Sequence, residues 1–268
     1  MGYIQFKRHM KTSLIAIVLA GICSWTQAKT LSEWLDAARF GDTWALSNMA
    51  FSGQDLNARN ERGNTALHAA LIEPNIESIR WLVRQPGIDL NARNAVGETA
   101  LMQAIIHGHR EIAMALLDAG AEVNQTGWTP LHYAAASKAP TAPAFVRLLL
   151  GKYVAYIDAE SPNGTTPLMM AARYGQLESI QILLNGGADL GITNQQGLTA
   201  MDFAKASEHP DNTKLLAAVY GKRAEEQARL AQAQAARAAP EAPEPARTAP
   251  ISGGSKPIVF EAIPKGQW

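Results

Sequence analysis

Five copies of one short motif, at nearly constant intervals, constrain this 268-residue chain more than any other feature. Thr129-Pro130-Leu131-His132-Tyr133-Ala134-Ala135 is the fullest copy. Thr65-Ala66-Leu67-His68-Ala69-Ala70, Thr99-Ala100-Leu101-Met102-Gln103-Ala104, Thr166-Pro167-Leu168-Met169-Met170-Ala171-Ala172 and Thr199-Ala200-Met201-Asp202-Phe203-Ala204 are the others. Their leading threonines lie 34, 30, 37 and 33 residues apart. A period of that length means stacked supersecondary units, each too small to bury its own apolar face, rather than one globular core.

The positions around each threonine have separable tasks. Gly63, Gly97, Gly127, Gly164 and Gly197 precede it, where a tight turn favours a residue that tolerates positive φ. The threonine hydroxyl can cap the first helix, and Pro130 or Pro167 suits a first turn whose N–H has no partner. Alanines such as Ala70, Ala104 and Ala135 let helices approach closely. Larger apolar residues then follow at helical spacing, and they predict a second helix that buries one stripe: Ile79, Leu82 and Val83; Ile112, Leu116 and Leu117; Val146, Leu148 and Leu149; Ile180, Leu183 and Leu184. Gly120, Gly151, Gly186 and Gly187 read as the caps that end these helices. Asn57, Asn91, Asn124 and Asp158 read as closing a strand-like segment ahead of the next threonine.

Over residues 31 to 220 this pattern resembles the ankyrin repeat. The resemblance implies an all-α repeat solenoid of about six units, each a hairpin turn and two antiparallel helices. The units fall near 31–60, 61–94, 95–124, 125–161, 162–194 and 195–220, with Ser32 standing for the threonine in the divergent first one. A charged, Ala-rich helical extension (221–239) and a Pro/Ala-rich linker with an apolar, disordered tail (240–268) follow. The resemblance also implies that His68 and His132 tie one unit to the next by hydrogen bonds, rather than acting on a substrate or a metal. It places a protein partner in a groove lined by hairpin tips and outward positions of the first helices. Carried over by position, the candidates are Arg62, Asn64, Glu98, His107, Trp128, Asn163, Arg173, Tyr174 and Gln196, with Val96, Ile106, Thr165 and Leu198 beside them. Trp128, Arg173 and Tyr174 stand out, because such side chains combine large buried area with a polar handle.

One unit departs from the period. Between Asn124 and Thr129 the hairpin is three residues shorter than its neighbours, which leaves Trp128 at a reduced tip. In the same unit Ser137 to Pro143 makes the helix-helix connection about four residues longer than its neighbours, with Pro140 and Pro143 expected to end the first helix.

The amino terminus reads as a secretory signal: Lys7, Arg8 and Lys11, an apolar stretch from Leu14 to Cys23, and cleavage after Ala28. The apolar stretch is about ten residues, well short of the roughly 20 that span a bilayer. No stable membrane span is therefore expected once residues 1–28 are removed. Cys23, the sole cysteine, leaves with the signal unless it is lipidated, and a thiol-free chain suits an oxidising compartment. The expected location is the periplasm, with secretion as second choice. Taking the three basic residues of the signal from the 24 in the chain leaves 21 against 24 acids, so the basic field that nucleic acid demands is missing.

The sequence carries no nucleophile elbow, HExxH, phosphate loop or paired catalytic carboxylates. His107 and His109 flank Gly108 without further ligands at a metal-binding spacing. The expectation is a monomeric, non-catalytic interaction module without cofactor or metal, acting as scaffold, protector or toxin neutraliser. The alternatives are a secreted host-directed effector and an enzyme with an unrecognised site.

Overall fold

A computed structural model describes residues 30–238. The expected signal segment, Cys23 and the apolar tail lie outside the described residues. The chain divides into two compact units, one ending at Gly221 and one beginning at Lys222.

Twelve helices make up the described residues, and no strand occurs among them. They are α1 (30–40), α2 (Thr43–Phe51), α3 (Ala66–Ala69), α4 (Ile76–Leu82), α5 (Ala100–Ile106), α6 (Arg110–Asp118), α7 (Pro130–Ala136), α8 (Ala142–Gly151), α9 (Pro167–Tyr174), α10 (Leu177–Asn185), α11 (Ala200–Lys205) and α12 (Pro210–Ala238). In the first unit, α3, α5, α7, α9 and α11 pack successively as a row of first helices, while α2 packs on α4, α4 on α6 and α8 on α10. The core is one continuous cluster, from Trp34 in α1 to Leu216 in α12. In the second unit, α12 continues to Ala238, and its described side chains are exposed.

The local chemistry explains the period. Each motif threonine is extended and precedes a helix, as an N-cap requires; Thr99 and Thr166 accept the N–H of Met102 and Met169 through their hydroxyls. Gly63, Gly97, Gly127, Gly164 and Gly197 all sit at φ between 72° and 86°. Gly63 is doubly constrained, since a Cβ there would lie 2.8 Å from the Ala95 nitrogen in the next unit. The expected second-helix residues are buried, apart from Val83, Leu148 and Leu184, which are half-buried.

Three local expectations are corrected. Asn57, Asn91, Asn124 and Asp158 close no strand. Their side chains reach the backbone of the following unit instead: the Asn57, Asn91, Asn124 and Asp158 Oδ1 atoms accept from the N–H groups of Asp89, Glu122, Tyr156 and Asp189 at 2.8 to 3.0 Å. Asn57 and Asn124 also donate to the carbonyls of Gly87 and Val154. Pro143 does not end α7 but lies in the first turn of α8, and Ser137 closes α7. The long connection is folded down rather than bulging: buried Ser137 donates to the Ile106 carbonyl, and Gln176 donates to that of Ala139.

The third correction concerns Gly151, which lies within α8 and caps nothing. The left-handed residue four positions before the bridging Asn or Asp is Gly53, Gly87 and Gly120 in the first three units. In the irregular unit it is Val154, at φ 49°. A β-branched side chain in that region is strained by about 1–3 kcal/mol. Val154 is 68% exposed, so its removal sacrifices little packing. Val154→Gly should therefore stabilise the chain by about 1 kcal/mol, raising Tm by roughly 2–4 °C in calorimetry.

Candidate protein-binding surface

The hairpins are held in register before they present anything outward. Asn60 and Asn94 each close their own loop, and the Ala95 N–H donates to the Arg62 carbonyl across units at 2.8 Å. The Gln195 N–H does the same to the Asn163 carbonyl at 3.0 Å. Arg62, Asn163 and Gln196 thus expose side chains from anchored backbone. At the shortened tip a side chain stands in for the backbone stitch: the Arg93 guanidinium donates to Gln125 Oε1 at 2.7 Å, to the Thr126 carbonyl at 2.9 Å and to the Gly97 carbonyl at 3.3 Å. No local sequence signal marks Arg93, whose partners lie up to 33 residues on.

The candidates divide by what already engages them. Glu98 is half-buried and accepts from Gln103 at 3.1 Å; burial, and after it the Glu98 carboxylate, pushes the Tyr133 phenol up. Trp128 is half-buried, its ring edge-on to His132 with centroids 5.3 Å apart. Arg173 is half-buried over the 43%-exposed Tyr174 ring and donates through Nε to the Tyr174 hydroxyl at 2.9 Å, so the two act as one preassembled pair. Thr165 is a correction: it is buried, and its backbone carbonyl serves the stack by accepting from His132. Val96 is 72% exposed at its tip.

Three concavities bring candidates together. Asn64 and His107 line one of about 470 Å³ with Ile72, Gln103 and His109. Arg62 and Asn64 also line a larger one of about 570 Å³ against α1, floored by Leu31, Leu35 and Ile72. Arg173 and Tyr174 share a third, about 240 Å³, with Lys138 and His209. Ile72, 58% exposed between the first two, went unnoticed because it continues the buried stripe of α3 in the sequence. Trp128, Asn163, Gln196 and Glu98 occupy tips outside these hollows.

His68 and His132 perform the expected tie. In each, Nδ1 accepts from the threonine N–H at 3.2 Å, while Nε2 faces a carbonyl of the next unit, that of Glu98 at 3.0 Å and of Thr165 at 2.9 Å. With a carbonyl before Nε2, the proton sits on Nε2 and the ring is neutral. Burial lowers His68 and holds His132 down at about 4, from the ordinary 6.5. Met102 and Met169 keep only the local half of this arrangement, their sulfurs accepting from Thr99 and Thr166. His107 and His109 stack at 6.0 Å, and burial, then His107, lowers His109. No group of three metal-ligating side chains occurs among the described residues, and no described helix is long and apolar enough to cross a membrane.

Comparison with known proteins agrees with this architecture. Family models for ankyrin repeats match residues 34–127, 75–160 and 148–204. Human neurogenic locus notch homolog protein 2 is 34% identical over 113 residues, and the notch homolog protein 1 of Xenopus tropicalis 32%. Each match takes in 41% of this chain but only 4% of the relative's length. Among solved structures, a chain in the complex of the Bd0816 predatory endopeptidase from Bdellovibrio bacteriovorus with immunity protein Bd3460 is 32% identical, with a TM-score of 0.56. That match covers 69% of this chain and 96% of the other. With the threonine caps, left-handed glycines and histidine ties in place, and family models matching well over half its residues, the chain belongs to the ankyrin repeat family.

Proposed function

We propose that the chain is a non-catalytic binding array that is exported to the periplasm and there holds a protein partner of its own cell, an endopeptidase, in check. The observation carrying this reading is the likeness, along nearly the whole of the other chain, to a component of an endopeptidase–immunity protein complex. Export rests on the basic and apolar segment before Ala28. The grip is assigned to the hairpin tips and first-helix ends: Arg62, Asn64, Glu98, His107, Trp128, Asn163, Arg173, Tyr174 and Gln196. The preassembled Arg173–Tyr174 pair supplies the strongest contact, since its rotamers are already ordered and little entropy is lost on binding.

The test is biolayer interferometry of the full chain against each exported endopeptidase of its own cell, alongside turnover assays of those enzymes. One of them should bind with submicromolar Kd and lose activity at equimolar array. Tyr174→Ala should weaken that binding by about tenfold or more while leaving Tm within about 1 °C, as a hot-spot contact rather than a structural one requires. If no exported endopeptidase binds below about 10 μM, a range typical of non-specific contact, the restraint role fails.

A further inference from the structure

The irregular unit breaks two ladders at neighbouring positions. Two residues before the bridging Asn or Asp, the other units carry Asp55, Asp89 and Glu122, and after it Asp189 takes the same place in the backbone hydrogen-bond ladder. Here that rung is Tyr156, whose N–H donates to Asn124 at 2.8 Å and whose side chain is 67% exposed. Two residues earlier Val154, 68% exposed, occupies the left-handed position otherwise given to glycine. Neither change benefits the stack: the valine is strained, the tyrosine projects into water, and Ala155 between them faces the core. The rungs on either side, Glu122 and Asp189, are exposed carboxylates. The result is an apolar spot with an acid on each flank, built at a place where the scaffold calls for glycine and acid.

We propose that this turn after α8 is a second docking surface, which takes a protein segment presenting one apolar side chain between two basic ones. The apolar side chain covers Val154 and Tyr156, and the flanking cations meet Glu122 and Asp189. A binding role explains both departures at once, because exposed apolar area together with opposed charge is what gives a peptide contact its affinity and register. The surface is separate from the hairpin tips and first-helix ends, and it stands whether or not the partner there is an endopeptidase.

The scaffold itself supplies the control. In Val154→Gly/Tyr156→Asp both positions revert to the residues of the neighbouring units, so the fold is kept and one more acid is added. A random dodecapeptide phage library is panned on the full chain with that variant as soluble competitor, and enriched peptides are synthesised and titrated calorimetrically. The expected peptides carry an aliphatic or aromatic residue with Lys or Arg on both sides. Their affinity should fall tenfold or more for Tyr156→Asp and hold for Tyr174→Ala. Loss despite the added carboxylate would show that the apolar contact decides. The proposal is overturned if nothing is enriched, if the peptides lack that pattern, or if they bind the reverted chain equally. It is also overturned if sedimentation shows a dimer that Tyr156→Asp abolishes, since the occupant is then a second copy.

Discussion

Gly175→Ala should be the most damaging single-methyl change in the array. Gly175 ends α9 at φ −84°, a backbone any residue adopts, so conformational strain is not the reason. Space is the reason: a Cβ there would stand 2.1 Å from the Ala135 carbonyl oxygen of the preceding unit and 2.8 Å from the Ala171 Cα. Backbone lies on both sides, and Asn212 of the next unit also donates toward the Gly175 carbonyl. Nothing at the site is the free end of a flexible side chain, so α7 and α9 must part. That overpacking should cost at least about 3 kcal/mol, or on the order of 10 °C in Tm. Gly151→Ala is the paired control, because a Cβ there meets nothing within 4 Å and the residue is helical. It should melt at or slightly above the parent temperature. Equal melting of the two variants by calorimetry would mean that the units do not approach as closely as described.

Acid should loosen the same stack through His132. Its pKa is about 4 in the folded chain, against an ordinary 6.5, because burial disfavours the charged ring. Between those values the unfolded chain binds the extra proton and the folded chain does not. The stabilisation is therefore complete above pH 6.5 and is lost as pH falls toward 4, for a total of roughly 3 kcal/mol. Protonation would also place a proton on Nδ1, which already faces the Thr129 N–H. His68 acts in the same direction, with Arg59 adding to the effect of burial and Glu98 opposing it. Two units of this chain already carry methionine at the equivalent place, so His132→Met is the natural test. Urea unfolding from pH 7.5 to 4.5 should show a steep loss for the parent chain and a distinctly flatter profile for His132→Met. The variant should start about 1 kcal/mol lower at neutral pH, having lost the bond to the Thr165 carbonyl. Identical slopes would remove His132 from the account.

What could be read from the sequence was what acts within a few residues. Thr99 caps its own helix, Gly97 turns its own hairpin and His132 grips its own threonine, so each leaves a local signature that the period repeats. Most of what reaches into the next unit left no such signature, the His68 and His132 ties implied by the family resemblance excepted. Asn57 looks in the sequence like the close of a segment in its own unit, whereas its side chain serves Asp89, 32 residues away. Arg93 leaves no local signal for the same reason, its partners being Gln125 and Thr126. Pro143 suits the end of one helix as well as the start of the next, because composition alone gives no direction to a proline in a loop. Gly151 drew the cap assignment away from Val154, since glycine is the ordinary signal for a left-handed residue and valine its opposite. At the binding face, exposure was legible for Arg62, Asn163 and Gln196 on hairpin tips. The internal engagement of Glu98 by Gln103, of Trp128 by His132 and of Arg173 by Tyr174 was not: these partners are close in sequence, but whether the side chains meet is decided by rotamers, which spacing does not fix.

Hydrogen–deuterium exchange of the array, free and saturated with whichever exported endopeptidase the binding assay selects, tests the central claim most directly. Slowed exchange should map to the tips and first-helix ends around Arg62–Asn64, Val96–Glu98, His107, Trp128, Asn163, Arg173–Tyr174 and Gln196, with the buried cores of α6 and α10 unchanged. Protection confined to α4, α6 and α10, with those tips exchanging as freely as before, would contradict it.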